Sequence, residues 1–197
     1  MKYAENIHQL AALSPDFLGF IFYAKSPRYV VEVLTPETLE EIPKSIEKVG
    51  VFVNDTNEKM IKLAQLYSLD YLQLHGDESA SQCQELQAAG FKIIKAFQMD
   101  EAFDFNILEG YKPFCDFFLF DTKTKNYGGS GKTFNWNVLK KYDNEKPFLL
   151  SGGIGLNNVA DIKKISKYNI HAIDINSGVE LKPGLKNIEK VRKVMDF

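Results

Sequence analysis

Short apolar runs alternate with amphipathic stretches along the whole chain, and nothing else in the sequence limits its fold so strongly. The runs are Phe17–Tyr23, Val49–Val53, Tyr71–His75, Lys92–Phe97, Phe117–Asp121, Pro147–Ser151 and Ala172–Ile175. Each is too short for a buried helix and reads as a strand covered on both faces. Helical patterns lie around them at Ala4–Leu13, Pro36–Ser45, Asn57–Tyr67, Ser79–Ala89, Asp100–Glu109, Trp136–Tyr142, Leu156–Ser166 and Asn187–Met195. Strands separated by helices imply βαβ units and a parallel sheet. No linker or low-complexity stretch divides the chain, so residues 1–197 form one domain.

Two architectures satisfy this pattern, an open doubly wound sheet and a closed barrel. Doubly wound nucleotide folds carry their glycine-rich turn after the first strand. Here the glycine-rich loops come late, at Gly128–Gly131, Gly152–Gly155 and Gly178. Phosphate sites after the last strands are typical of the (β/α)8 TIM barrel, which we therefore expect. The count is uneven, however: eight helical stretches accompany only seven strands. The expected fold is a TIM barrel truncated at its N-terminus so that the first strand is missing. Such a barrel has two unpaired strand edges and an open flank. That predicts exposed apolar faces at Phe17–Tyr23 and Ala172–Ile175, with low solubility, self-association or local disorder near Met1–Ser14.

The chemistry concentrates near Phe117–Trp136. An apolar run ends on Asp121, and a glycine-rich loop, Gly128-Gly129-Ser130-Gly131-Lys132-Thr133, begins seven residues later. An acid at a strand tip beside an anion cradle suits an enzyme acting on a phosphorylated small molecule. Asp121 alone is equally a turn cap. The Gly-Lys-Thr is not a P-loop, because Asn126 stands where that pattern needs glycine. Arg28 comes directly after Pro27 at the end of the first strand and suits bidentate binding of a carboxylate, or is a solvated surface residue. Gln73 and His75 share one strand face; His75 polarises a substrate or merely ends the strand. Gly152 and Gly153 after one strand, and Ser177 and Gly178 after the next, offer backbone amides to an anion.

Composition removes other classes. The formal net charge is −2 with no long basic run, which gives no nucleic-acid surface. No apolar stretch reaches membrane-spanning length, and MKYAENIHQL lacks a signal-peptide core. The two cysteines, Cys83 and Cys115, lack metal spacing and fit a reducing cytoplasm.

The ordered motifs SPR, QLHGD, GGSGKTF and SGVE resemble phosphoribosylanthranilate isomerase of tryptophan biosynthesis. The resemblance runs from about Ala4 to the C-terminus. It implies a (β/α)8 barrel performing an Amadori rearrangement of a small phosphorylated substrate with no metal or organic cofactor. By position it implies Asp121 as general acid and Arg28 as the holder of the anthranilate carboxylate. Gly129 and Ser130 fall in a closing loop, Gly152, Gly153, Ser177 and Gly178 in a phosphate cup, and Gln73 and His75 in the pocket lining. It also implies a cytoplasmic protein, monomer or homodimer.

The departure concerns the base, a cysteine in a Lys-x-Cys-Gly stretch before the first helix in that family. Met1–Ile7 reads like the residues immediately C-terminal to such a stretch. Cys83 belongs to an outer helix and Cys115 to the wrong end of a strand, so neither replaces it. We expect the chain as written to be weak or inactive. Met1 is then an internal methionine of a longer product, the residue left by a truncation, or the start of a relative that only binds phosphorylated ligands.

Overall fold

The computed structural model describes residues 1–123 and 133–197. After helix α1 (Ala4–Ala11) come seven strands: β1 (Phe17–Ile21), β2 (Glu47–Phe52), β3 (Tyr71–Leu74), β4 (Lys92–Met99), β5 (Phe117–Thr122), β6 (Phe148–Leu150) and β7 (Ile170–Ile173). They lie in sequence order in one sheet, and every neighbouring pair is parallel. Helices α2 (Pro36–Glu40), α3 (Asn57–Leu66) and α4 (Ala80–Ala88) cross between the first four strands. A hairpin of β8 (Glu180–Lys182) and β9 (Leu185–Lys186) precedes the last helix, α5 (Ile188–Met195).

Two of the regular crossover helices carry side-chain caps. Thr56 accepts the Lys59 N–H at 3.4 Å, and Ser79 forms a reciprocal capping box with Gln82. In the second half the crossovers are 3₁₀ helices at Phe105–Gly110, Lys112–Phe114, Trp136–Lys141 and Val159–Ile165. Asp104 and Asn135 accept N–H groups only two residues ahead, from Asn106 at 3.0 Å and Asn137 at 3.1 Å. Such Asx turns wind the first turn tightly. The α-helices expected at Asp100–Glu109 and Trp136–Tyr142 are therefore shorter, tighter elements, and Leu156–Ser166 is likewise 3₁₀.

The two faces of the sheet bury two separate apolar clusters. The larger packs Phe20, Phe52, Leu72, Phe118, Phe120 and Phe148 against helix residues such as Ile7, Met60 and Leu86. The smaller unites Val49, Tyr71, Ile94, Ala96, Leu119 and Leu149 on the other face. Side chains of distant strands meet on that face because the sheet curls around it. Phe17 on β1 and His171 on β7 belong to opposite edges, yet their rings are 5.9 Å apart. With Tyr71 and Phe117 they form one ring layer, drawn from every second strand, with Phe117 and His171 stacked at 4.2 Å. Layers built from alternate strands are the filling of a TIM-barrel-like fold.

The flank between β1 and β7 is not bare. The Met1 amine donates to the Gly19 carbonyl at 3.1 Å, and the Val30 N–H to the Ile21 carbonyl at 3.1 Å. Asn6 exchanges two hydrogen bonds with the Lys186 backbone, at 2.7 and 3.0 Å. The Lys2 N–H reaches the Gly184 carbonyl, at the left-handed corner (φ +82°) of the Pro183-Gly184 turn. Contrary to expectation, Leu18, Phe20 and Phe22 are buried, as are Met1, Ile7 and Leu10. Part of the expected exposure remains, with Ile173 at 38% and Phe17, Ile21, Tyr23, Ala172 and Ile175 half-buried. No helix among the described residues is long and apolar enough to cross a membrane.

Leu119 is fully buried in the inner cluster. Leu119→Ala is expected to destabilise the fold by about 3 kcal/mol, read as a lowered urea midpoint at unchanged slope.

Candidate active site

Because all seven strands run parallel, their C-terminal ends share one rim, and the ionisable tips gather there. Asp121 lies near the end of β5, buried to 8% exposure. Its Oδ1 accepts the Thr122 N–H at 2.7 Å, and its Oδ2 lies 3.2 Å from His75 Nε2. The other ring nitrogen, Nδ1, lies 2.9 Å from the side-chain oxygen of buried Gln73. The sequence-predicted trio of Asp121, His75 and Gln73 is thus one hydrogen-bonded chain.

Where the protons of that chain lie depends on which way the Gln73 amide is turned. With the Gln73 oxygen turned to the ring, Nδ1 carries a hydrogen. Nε2 then either accepts from a protonated Asp121 or, in a ring protonated on both nitrogens, donates to its carboxylate. In both states one proton lies between Asp121 and His75.

Two residues outside the predicted set belong to the same rim. Asp174 comes directly after β7 and accepts the Ser151 hydroxyl at 2.9 Å. Burial pushes its carboxyl above the usual range and the charge of Asp121 adds to this, against the Ser151 hydrogen bond and the nearby Lys186 and His75. Glu180, at the start of β8, takes the Arg28 guanidinium through Nε at 2.9 Å and through Nη2. It also accepts the Gly184 N–H at 2.9 Å and Lys186 Nζ at 3.3 Å. Burial alone would raise its carboxyl, but hydrogen bonds from Arg28 and Gly184 and the Lys186 and Arg28 charges bring it down to about 2. At Lys186 burial outweighs Glu180 and Asp174, and its ammonium is lowered. A pairing of Arg28 with a residue 152 positions away has no local signal in the sequence.

The two glycine loops meet beside these acids. Gly152 and Gly153 are left-handed, with φ of +91° and +66°. A Cβ on Gly152 would lie 2.2 Å from Thr122 Oγ1 and 2.8 Å from Asp121 Oδ1. One on Gly178, in the short 3₁₀ helix Ser177–Val179, would lie 2.4 Å from the Ile154 carbonyl oxygen. Asn158 braces the first loop, accepting the Gly155 N–H and donating to the Gly153 carbonyl, both at 2.9 Å. The Gly153 and Gly178 N–H groups find no backbone partner among the described residues, so this corner can receive an anion. Gly129 and Ser130 lie outside the described residues. A cavity of about 250 Å³ lined by Asp16, Phe17, Ser45, Glu47 and His171 is at the opposite end of the strands, away from this chemistry.

The family model of N-(5'-phosphoribosyl)anthranilate (PRA) isomerase matches residues 1–197. The chain belongs to the PRA isomerase family. It is 46% identical over 193 residues to the Parabacteroides distasonis N-(5'-phosphoribosyl)anthranilate isomerase, covering 98% of this chain and 87% of that one. Among solved structures, the Thermotoga maritima phosphoribosyl anthranilate isomerase superposes with a TM-score of 0.83 at 33% identity, covering 100% of this chain and 94% of the other. A family structure in complex with reduced 1-(o-carboxyphenylamino)-1-deoxyribulose 5-phosphate has a TM-score of 0.80 at 28% identity, covering 100% and 93%.

Within this PRA isomerase fold, Cys83 is buried in α4 and Cys115 is buried just before β5, both away from the rim. Among the described residues, no group of three or more His, Cys, Asp or Glu side chains converges as a metal site.

Glu180 gives the fold an acid limb. Its folded value, about 2, lies below the ordinary 4.5. Its stabilisation is therefore complete above about pH 4.5 and is lost as the pH falls from there toward 2. The loss is expected to reach about 2–3 kcal/mol in urea unfolding. Arg28→Gln should shrink that acid-dependent step.

Proposed function

We propose that this protein converts N-(5-phosphoribosyl)anthranilate to 1-(2-carboxyphenylamino)-1-deoxyribulose 5-phosphate by an Amadori rearrangement in tryptophan biosynthesis. The observation that carries this is the Asp121–His75 contact at the same rim as the glycine cup and Arg28. Asp121 gives its proton to the ribose ring oxygen and opens the ring. A base then removes the proton from the neighbouring ribose carbon, and the resulting enolamine tautomerises to the ketone. His75, with Gln73 behind it, shares the proton that Asp121 spends and regains. The phosphate lies at Gly152, Gly153, Ser177 and Gly178. The anthranilate carboxylate lies at the part of the Arg28 guanidinium not turned to Glu180. Gly129 and Ser130 close over the substrate.

The proposal extends to the finer architecture. The curl of the sheet and its alternate-strand ring layer support a (β/α)8 barrel whose first strand would run between β1 and β7. It also covers a cytoplasmic monomer or homodimer that acts on a free phosphorylated substrate, without cofactor, nucleic acid or membrane. The alternative is a phosphorylated-ligand binder of the same fold without turnover.

Turnover of N-(5-phosphoribosyl)anthranilate, measured by loss of its fluorescence, separates the two. Asp121→Asn is expected to lower kcat by about 10²–10⁴-fold with the fold intact. Adding a strand that ends in Lys-Val-Cys-Gly ahead of Met1 is expected to raise kcat by a similar ~10²–10⁴-fold. Equal turnover with and without that strand would show that the base lies within these residues. Phosphate-analogue binding with no turnover in either version would favour the binder.

A further inference from the structure

Behind the rim, on the outer face of the sheet, lies a lysine with an unusual set of partners. Neighbours Ile94 and Ala96 point into the inner cluster, so Lys95 points the other way and is 2% exposed. Its ammonium lies 3.1 Å from the Leu74 carbonyl, 2.8 Å from that of Gly76, 3.0 Å from that of Ala96 and 3.2 Å from Glu78 Oε2. Glu78 is 1% exposed and fully engaged. Its Oε1 accepts the Asn54 N–H at 2.8 Å, and its Oε2 accepts the Gly76 N–H at 2.9 Å. Asn54, left-handed at φ +54°, also accepts the Asp77 N–H at 2.6 Å. A Cβ on Gly76 would lie 2.3 Å from Asn54 Oδ1, so the loop backbone packs closely on Asn54.

These contacts surround one residue. Leu74 and Gly76 are the chain neighbours of His75, and both of their carbonyls accept from the same ammonium. The His75 N–H is tied to the Phe52 carbonyl at 2.9 Å. The backbone of His75 is therefore held on both sides and at its own nitrogen, while its ring spans from Gln73 to Asp121. A buried ion pair seldom adds net stability over well-packed apolar side chains. An apolar residue on this strand face would fill the same space without supplying donors to the loop.

We infer that Lys95 and Glu78 are positioning residues that set the imidazole of His75 against Asp121. Both are buried and act through the loop backbone. The inference rests on the reading of His75 and Asp121 as the reacting pair, but its first test does not need turnover. A mispositioned catalytic group costs about 10–100-fold in rate when it shifts by a fraction of an ångström to one ångström.

The test uses the full chain and its variants Glu78→Gln, Lys95→Met and the double variant, in which no buried charge is left unpaired. The ring nitrogens of His75 are observed by ¹⁵N NMR, with kcat, KM, Tm and the affinity for reduced 1-(o-carboxyphenylamino)-1-deoxyribulose 5-phosphate measured alongside. The wild type is expected to hold one fixed ring protonation pattern, with a hydrogen on Nδ1. Each folded variant is expected to average between protonation patterns and to lose about 10–100-fold in kcat, with KM and analogue affinity within about threefold. A lower Tm with the fixed pattern and kcat retained would reduce the pair to a structural role and overturn the inference. Where Lys95→Met fails to fold, Glu78→Gln, which keeps the side-chain shape, decides. A wild type without turnover would count against the isomerase reading alone, because the ¹⁵N comparison still reports on positioning.

Discussion

The inner face of the sheet has to be filled, and that requirement governs the rest of the molecule. A flat seven-stranded parallel sheet would leave Val49, Tyr71, Ile94, Leu119 and Leu149 on a face that no helix covers. Curling lets these side chains cover one another, with Phe17, Tyr71, Phe117 and His171 forming a layer at one end. Once the sheet curls, parallel strands send their C-terminal tips toward a common centre. Asp121 from β5, His75 after β3, Asp174 after β7 and the glycine loop after β6 then become neighbours though they are far apart in sequence.

Where the curl brings the two sheet edges together, the protein uses polar chemistry rather than apolar contact. Glu180 is the hub, receiving Arg28, Lys186 and the Gly184 N–H at once. Three donors on one buried carboxylate satisfy the condition under which a buried charge is tolerated, namely that its remaining lone pairs are also used. The arrangement serves two purposes. It joins the hairpin to the loop after β1, and it orients the guanidinium proposed to meet the substrate's carboxylate. Stability of the flank and geometry of the site are therefore not independent.

How much of this the sequence showed depends on whether a feature is local. Phe117–Asp121 is recognisable because burial on both faces removes every polar residue until the tip, so the acid stands out. The seven strands were found for the same reason, to within a few residues. His171 was invisible as part of an inner layer because a histidine in a short run signals a strand end rather than a ring stack. Lys95 looks like an outward, solvated residue in KIIKAF; only the tertiary placement of the loop after β3 covers it. The Arg28–Glu180 pair and the shared surroundings of Asp121 and Asp174 join segments whose proximity exists only after the sheet has curled. The hairpin Glu180–Lys186 had a local signal, Pro183-Gly184, which the dominant βα rhythm obscured. The crossovers after β5 and β6 have helical periodicity, but at Asn135 a short-range hydrogen bond sets a tighter winding.

The close approach at Gly152 and Gly178 bears on how this pocket can change over time. At both positions the space a side chain needs is already occupied by a neighbouring strand tip or loop backbone. The proposed anion corner is thus made of main chain, which substitution scarcely alters, and residues bulky enough to reshape it do not fit. The other end of the pocket is made of side chains, Arg28 held by Glu180, which a single codon change replaces. On the proposed reading, descendants of this protein would keep a phosphate-bearing ligand while exploring new groups at its far end.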